Sequence, residues 1–198
     1  MTPASLPRMF YSEGEGWKDL ARAHPGVAKM TLFLVAPMSL LPPLMNAYSQ
    51  IVHPGRVTPL VEPALGGGEL LLVGAVFFAI ELAMVALMAV YIQRLGESVG
   101  VSPSYEEAYA LAAVAPVPLW LASLALFVPN LAFNVLAVAV AWVGSVALIR
   151  HAVRPLFKVQ DLGRAHHMSN SITFAGVGVW LCLMAVLLMV LGMLMGWR

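Results

Sequence analysis

The stretch LLLVGAVFFAIELAMVALMAVYI, residues 70–92, contains a single charged side chain, Glu81. A helix needs about 20 mostly apolar residues to cross the hydrocarbon core of a bilayer, and this stretch has that length. The chain of 198 residues is 61% hydrophobic and only 11% charged, whereas soluble proteins average about 25% charged residues. The composition therefore predicts an integral membrane protein rather than a water-soluble domain.

Five stretches of this kind predict an all-α, polytopic bundle of five transmembrane helices. They cover residues 27–48, 70–92, 109–128, 131–149 and 172–195. The first contains Pro37, Pro42 and Pro43, which remove backbone donors and favour a kink. Together the five spans form a membrane domain over residues 27–196.

Residues 1–26 precede this domain and are too long and polar for the n-region of a signal peptide, so we expect no cleavage. Ser12 and Glu15 indicate a helix start within this segment. Trp17 and Leu20 share one face of that helix. Such an amphipathic helix is typical of the headgroup layer, and we expect an interfacial helix here.

The positive charges predict the orientation. With five spans, Arg56 and Arg198 fall on one side, and the other Lys and Arg residues fall on the side of the N-terminus. Because cytoplasmic loops are enriched in Lys and Arg, the N-terminus is predicted to be cytoplasmic and the C-terminus outside. The candidates for contact with anionic lipid headgroups are Lys18, Arg22, Arg150, Arg154, Lys158 and Arg164. Ordinary positive-inside loops without lipid specificity would give the same pattern, so both interpretations stay open.

Two local signals mark helix starts. Ser104, followed three residues later by Glu107, has the spacing of a capping box ahead of the third span. The third and fourth spans are separated only by Pro129 and Asn130, and Asn130 is a favourable N-cap. We therefore expect a tight antiparallel hairpin.

The stretch SYEEAYALAAVAPVPLWLASLALFVPNLAF, residues 104–133, resembles the Yip (Ypt-interacting-protein type) family of multi-pass membrane proteins, and in particular its bacterial members. Pro118, Trp120 and Pro129 match the motif of an Ala-rich span followed by a proline turn. Val114 stands where the family usually has tyrosine, and Ser123 stands where glycine is common. If that tyrosine has a role in the family, this chain lacks it.

A second stretch, VRPLFKVQDLGRAHHMS at residues 153–169, is similar to the family's inner segment. Pro155, Lys158 and Asp161 match it in order, although the spacing differs. The resemblance implies a short inner N-terminal region, five helices and an outer C-terminus, in the inner membrane of a bacterial cell. Eukaryotic relatives are associated with vesicle trafficking and small GTPases, while bacterial members lack a clear activity.

Glu81 is the main candidate for chemistry inside the membrane. A charge at the bilayer centre costs about 2.5–3.5 kcal/mol on insertion scales, and no Lys, Arg or His lies at matching depth in another span. The neutral acid is therefore favoured, and it can donate a hydrogen bond. Candidate partners on neighbouring helices are Ser39, Asn46, Ser123, Asn134, Ser145 and Thr173. Three interpretations stay open: a structural bridge between helices, a proton or cation site, and a contact with a second subunit.

Small residues at four-residue spacing indicate close helix packing. Ala75, Ala79 and Ala83 form one such stripe, and Glu81 lies about 160° around the helix from it. Gly192 and Gly196 form a Gly-x-x-x-Gly pair near the end of the fifth span.

No enzyme is predicted, because the chain lacks a nucleophile elbow, a phosphate-binding loop and a dinucleotide fingerprint. No cofactor is expected, and the histidines lack the spacing of a metal site. The function predicted is that of a non-catalytic membrane organiser, scaffold or accessory subunit; the alternative is a small transporter or channel that uses Glu81. The expected partners are membrane lipids, together with further copies of the chain or a larger membrane complex, and no nucleic acid.

Overall fold

The computed structural model describes residues 15–23, 25–57 and 65–196, and these residues form helices and no strand. The helices are α1 (Glu15–Ala23), α2 (Val27–Val52), α3 (Gly67–Ser98), α4 (Tyr105–Val114), α5 (Val117–Ala122), α6 (Leu131–Phe157) and α7 (Leu162–Gly196), and a 3-10 turn over Ser123–Phe127 follows α5. Five segments are long and apolar enough to cross a membrane: α2, α3, α4 with α5 and the 3-10 turn, α6, and α7. The predicted all-α bundle with five spans is confirmed.

The first span is irregular, as its prolines predict. It begins as an α-helical turn, passes through a π-helical segment over Thr31–Val35, and has a break at Leu40 before the last segment, Leu41–Val52. Pro42 and Pro43 lie in the first turn of that last segment, where a missing backbone N–H breaks no helical bond. The side chain of Thr31 donates to the carbonyl of Val27 at 2.9 Å.

The third span is also interrupted at its prolines. Helix α4 ends at Val114, Pro116 is the N-cap of α5, and Pro118 lies in the first turn of α5. A proline within a continuous helix would remove a bond and clash with the preceding turn. The chain therefore ends one helix at Val114 and restarts at Val117, so the third span is broken rather than simply kinked.

Both predicted helix caps are present. The Ser104 backbone N–H donates to the Glu107 carboxylate at 2.9 Å, and the Glu107 N–H donates to the Ser104 hydroxyl at 3.2 Å. The side chain of Asn130 accepts from the N–H of Phe133 at 3.0 Å, which begins α6 directly after the 3-10 turn. Spans three and four thus form the expected tight hairpin.

Helices α6 and α7 extend beyond the predicted spans. The basic segment after residue 149 continues α6 to Phe157, and α7 begins at Leu162 rather than at residue 172. Lys158 adopts a left-handed conformation (φ 56°) that ends α6, and the Asp161 carboxylate accepts from the N–H of Arg164 at 2.7 Å to begin α7. The predicted inner loop is therefore a sharp turn between two long helices. Hydropathy located the apolar part of these helices but not their polar extensions.

The amphipathic helix predicted before the first span is present as α1, but its apolar face is not left to the lipid headgroups. Trp17 and Leu20 are 0% and 1% exposed, and α1 packs against α6. These two side chains join a cluster with Leu148, Ala152 and Val153 of α6. Burial against protein removes the same apolar area from water as burial in lipid would, so the sequence pattern alone could not distinguish the two.

The second to fifth spans are arranged as a ring. Helix α3 packs against α4 and α7, and α6 packs against α5 and α7. In the described part of the chain, α3 and α6 share no more than isolated contacts. These two helices therefore lie on opposite sides of the ring and leave space between them.

Candidate functional site

Glu81 lies on the inward face of α3. The buried residues of this helix recur at intervals of three or four: Leu70, Val73, Phe77, Glu81, Val85, Ala89, Ile92 and Gly96. This spacing is one face of a helix, and Glu81 holds a central place in it with 7% of its surface exposed. The sequence therefore directs the acid into the bundle rather than toward the lipid.

The partner of Glu81 is Trp120. The indole Nε1–H of Trp120 donates to Glu81 Oε1 at 3.0 Å, and the indole is itself 4% exposed. The bond joins α3 to α5 and therefore connects the second span to the third. Sequence reasoning named six other partners and missed this one. The available signal was that a buried tryptophan N–H requires an acceptor.

Four of the six side chains named as partners bond to the backbone of their own segment instead. Ser39 donates to Val35 O at 2.7 Å, Ser123 to Trp120 O at 2.6 Å, and Thr173 to Ser169 O at 2.8 Å. The amide of Asn134 donates to Val128 O and Asn130 O. Such local bonds are the usual satisfaction of polar side chains on helices in a medium without water.

Two buried oxygens near the middle of the bundle have no hydrogen-bond partner. They are Oε2 of Glu81 and Oγ of Ser145 on α6. Ser145 is 3% exposed. Buried polar atoms are hydrogen-bonded in the great majority of cases, so two unpartnered oxygens in one region of a membrane bundle require an explanation.

Both side chains line one cavity of about 580 Å³ inside the ring of spans. Its wall is largely apolar and aromatic, and includes Phe77, Met84 and Met88 of α3, Leu119 and Trp120 of α5, Val135, Val138 and Trp142 of α6, and Ile172, Gly176, Val179, Trp180 and Leu183 of α7. Its volume is within the range of small-molecule sites. Val135 lines the cavity and is 60% exposed, which indicates an opening on the lipid-facing side of the bundle.

Four of the small residues predicted to pack, Ala75, Ala79, Ala83 and Gly192, do not lie at helix contacts within the described part of the chain. Ala75, Ala79 and Ala83 are all exposed, and Glu81 lies on the other face of α3, as the helical geometry predicts. Gly192 is exposed as well, and a Cβ added there would meet nothing within 4 Å. Gly196 is the last residue of α7. Packing of these residues against a second copy stays a prediction.

Most of the residues that match the family motifs lie at or near the ends of helices. Pro118 lies in the first turn of α5, Pro129 precedes the cap of α6, and Pro155 lies inside α6 close to its end. Lys158 ends α6 and Asp161 begins α7. Trp120 is the exception, because its indole carries the bond to Glu81.

The basic residues predicted to meet lipid headgroups are all exposed, and the packing of α1 against α6 brings them to one end of the bundle. They are Lys18 and Arg22 of α1, Arg150 and Arg154 of α6, Lys158, and Arg164 of α7. Arg22 is paired with Asp19 at 3.5 Å within α1. The structure therefore adds the cations of α1 to those of α6 and α7, which are far from α1 in sequence.

Comparison with protein families matches residues 8–191 to the family described as Yip1 domain. No curated protein matches the chain. No solved structure matches it.

Proposed function

Since the chain belongs to the Yip1 domain family, we propose that this multi-pass membrane protein is a non-catalytic organiser, scaffold or accessory subunit that contacts lipids or protein partners. Its basic end would face the cytoplasm, in the inner membrane of a bacterial cell. Its N-terminus would lie inside and its C-terminus outside, in line with the distribution of Lys and Arg.

The observation that supports this proposal is the group of exposed cations at one end of the bundle. Because Trp17 and Leu20 are fully buried and α1 packs against α6, Lys18 and Arg22 are carried on a helix that is docked to the helix of Arg150 and Arg154. A charge surface on rigid helices is pre-organised, and a partner or lipid headgroup that binds it loses less entropy than at a flexible loop.

The electrostatics favour an anionic partner. Each Lys or Arg near the surface of an anionic membrane contributes about 1 kcal/mol of attraction. Arg22 is paired with Asp19, so the exposed Lys18, Arg150 and Lys158 are better suited to such contacts. Salt should weaken them, because the charges are exposed.

The test is purification of the full chain in mild detergent, with mass spectrometry of the lipids and proteins that remain bound. We expect enrichment of anionic lipid or of a specific subunit, and a loss of about five-fold for each of Lys18→Gln, Arg150→Gln and Lys158→Gln. Arg56→Gln, between the first and second spans, is the matched control and should change nothing. A monomer that carries neither enriched lipid nor a companion subunit would contradict the proposal.

The alternative function is that of a small transporter or channel with Glu81 as a proton or cation site. The cavity and the unpartnered Oε2 of Glu81 favour it, while the bond to Trp120 favours a structural role for the same side chain. Reconstituted vesicles distinguish the two. A transporter should lose flux in Glu81→Gln at unchanged expression, whereas the organiser should tolerate an amide that still accepts from the indole.

A further inference from the structure

The cavity between α3 and α6 combines an apolar wall with two polar atoms that lack partners. Glu81 and Ser145 are each more than nine-tenths buried, and both line the space. They approach it from opposite sides of the ring, since α3 and α6 pack against the same neighbours but not closely against one another. An occupant of the cavity would lie between them.

The charge of the wall limits what that occupant can be. Among the described residues that line the cavity, Glu81 is the one with an ionisable side chain. One of its oxygens already accepts from a neutral donor, the Trp120 indole. The group suited to the other oxygen and to the Ser145 hydroxyl is neutral and can both donate and accept a hydrogen bond, as a hydroxyl does.

The position of the opening indicates where the occupant comes from. Val135 is at once part of the wall and largely exposed, and it lies in the second turn of α6, within the apolar stretch 131–149. A molecule that enters beside Val135 comes from the hydrocarbon layer close to one end of α6. It must therefore be soluble in lipid, and its apolar portion would contact the rings of Trp142 and Trp180.

We propose that this cavity is a binding site for a neutral, hydroxyl-bearing amphiphile with a long apolar chain, which enters sideways from the bilayer. Its hydroxyl bonds to Oε2 of Glu81, Ser145 offers a second polar group in the same cavity, and its chain lies along the aromatic and methionine wall. Long-chain alcohols and monoacylglycerols share this chemistry. The site does not depend on the organiser role or on the cations at the end of the bundle.

The test is photo-crosslinking of the purified full chain with hexadecanol that carries a diazirine in its chain, with 1-oleoylglycerol as competitor. Wild type should be labelled on peptides of α3, α6 and α7, and 1-oleoylglycerol should compete. The methyl ether of the same probe has no donor and should label about five-fold less. Glu81→Leu should reduce labelling by the alcohol to a similar extent.

The chain offers a matched pair of variants. Gly176 lines the cavity, and a Cβ added there meets nothing within 4 Å, so Gly176→Leu should extend into the space and abolish labelling. Gly178 is two residues away, is exposed and also has nothing within 4 Å, but it is not part of the wall. Gly178→Leu should leave labelling unchanged.

Three results would overturn the proposal. Equal labelling by the alcohol and its methyl ether would mean that the cavity takes hydrocarbon alone. Much stronger labelling by the matching long-chain ammonium would make Glu81 a cation site. Equal labelling of Gly176→Leu and wild type would place the probe elsewhere. None of these outcomes bears on the binding of anionic lipid at the basic end, so this proposal and the organiser role fail separately.

Discussion

Replacement of Trp120 by phenylalanine should destabilise the bundle through one lost hydrogen bond. Trp120→Phe keeps an aromatic ring between α3 and α5 but removes the N–H that donates to Glu81 Oε1 at 3.0 Å. Because Oε2 already lacks a partner, the variant leaves both carboxyl oxygens without a protein donor. A buried polar group left unsatisfied costs about 1–3 kcal/mol, and we expect a loss of about 2 kcal/mol.

That loss is large enough to measure by thermal unfolding of the detergent-purified chain, followed by far-UV circular dichroism. For a chain of this size, 1 kcal/mol corresponds to about 2–4 °C in Tm, so Trp120→Phe should unfold about 4–8 °C below wild type. Glu81→Gln should shift Tm far less, since its amide oxygen still accepts from the indole.

A double-mutant cycle separates the bond from the change in ring volume. In a Glu81→Leu background the indole N–H has already lost its acceptor, so the further change Trp120→Phe should cost about 1–2 kcal/mol less than it does in wild type. If Trp120→Phe costs the same in both backgrounds, the bond contributes nothing to stability and the structural interpretation of Glu81 is refuted.

Three further substitutions test the packing. Gly96→Ala should lower the free energy of unfolding by about 1–3 kcal/mol, because the added methyl would lie 2.6 Å from the ring of Pro103. Gly178→Ala is its control, and an equal Tm for the two variants would contradict the close approach of Gly96 to Pro103. Trp17→Ala should lower the free energy of unfolding by about 3–5 kcal/mol through lost packing, and it should expose α1 to protease or hydrogen exchange. Lys18→Ala should leave α1 protected. Unchanged protection in Trp17→Ala would show that the indole does not hold α1 against the bundle. Asn130→Ala should lower stability by about 1 kcal/mol through loss of the cap on α6, and a Tm equal to that of wild type would contradict that role.

Much of the fold follows from the sequence, because hydrocarbon imposes strict requirements on the backbone. Every spanning segment must satisfy its own hydrogen bonds, so long apolar stretches such as 70–92 predict helices directly. Local chemistry predicted the caps at Ser104 and Asn130. The ends of α6 and α7 were missed, since their polar extensions beyond residue 149 and before residue 172 lack a hydropathy signal.

The candidate site was predicted in part. An acid within an apolar run marked Glu81, and helical periodicity separated it from the exposed stripe of Ala75 and Ala79. The partner and the cavity depend on how the four spans surround a common space, and that is a tertiary property. Trp120 is distant from Glu81 in sequence, and the break at Pro116 positions its indole. Spacing rules within one helix therefore do not predict that Trp120 contacts Glu81.

The most direct test of the proposed membrane topology, in which the first span crosses with the N-terminus inside, is the accessibility of single cysteines on either side of that span. In a Cys182→Ser background, Arg56→Cys and Lys18→Cys would be treated with a membrane-impermeant maleimide in intact cells and in opened membranes. Lys18 and Arg56 are both exposed and lie on either side of the first span. The account predicts labelling of Arg56→Cys in intact cells and of Lys18→Cys only after the membrane is opened. Labelling of both in intact cells, or of Lys18→Cys alone, would contradict it.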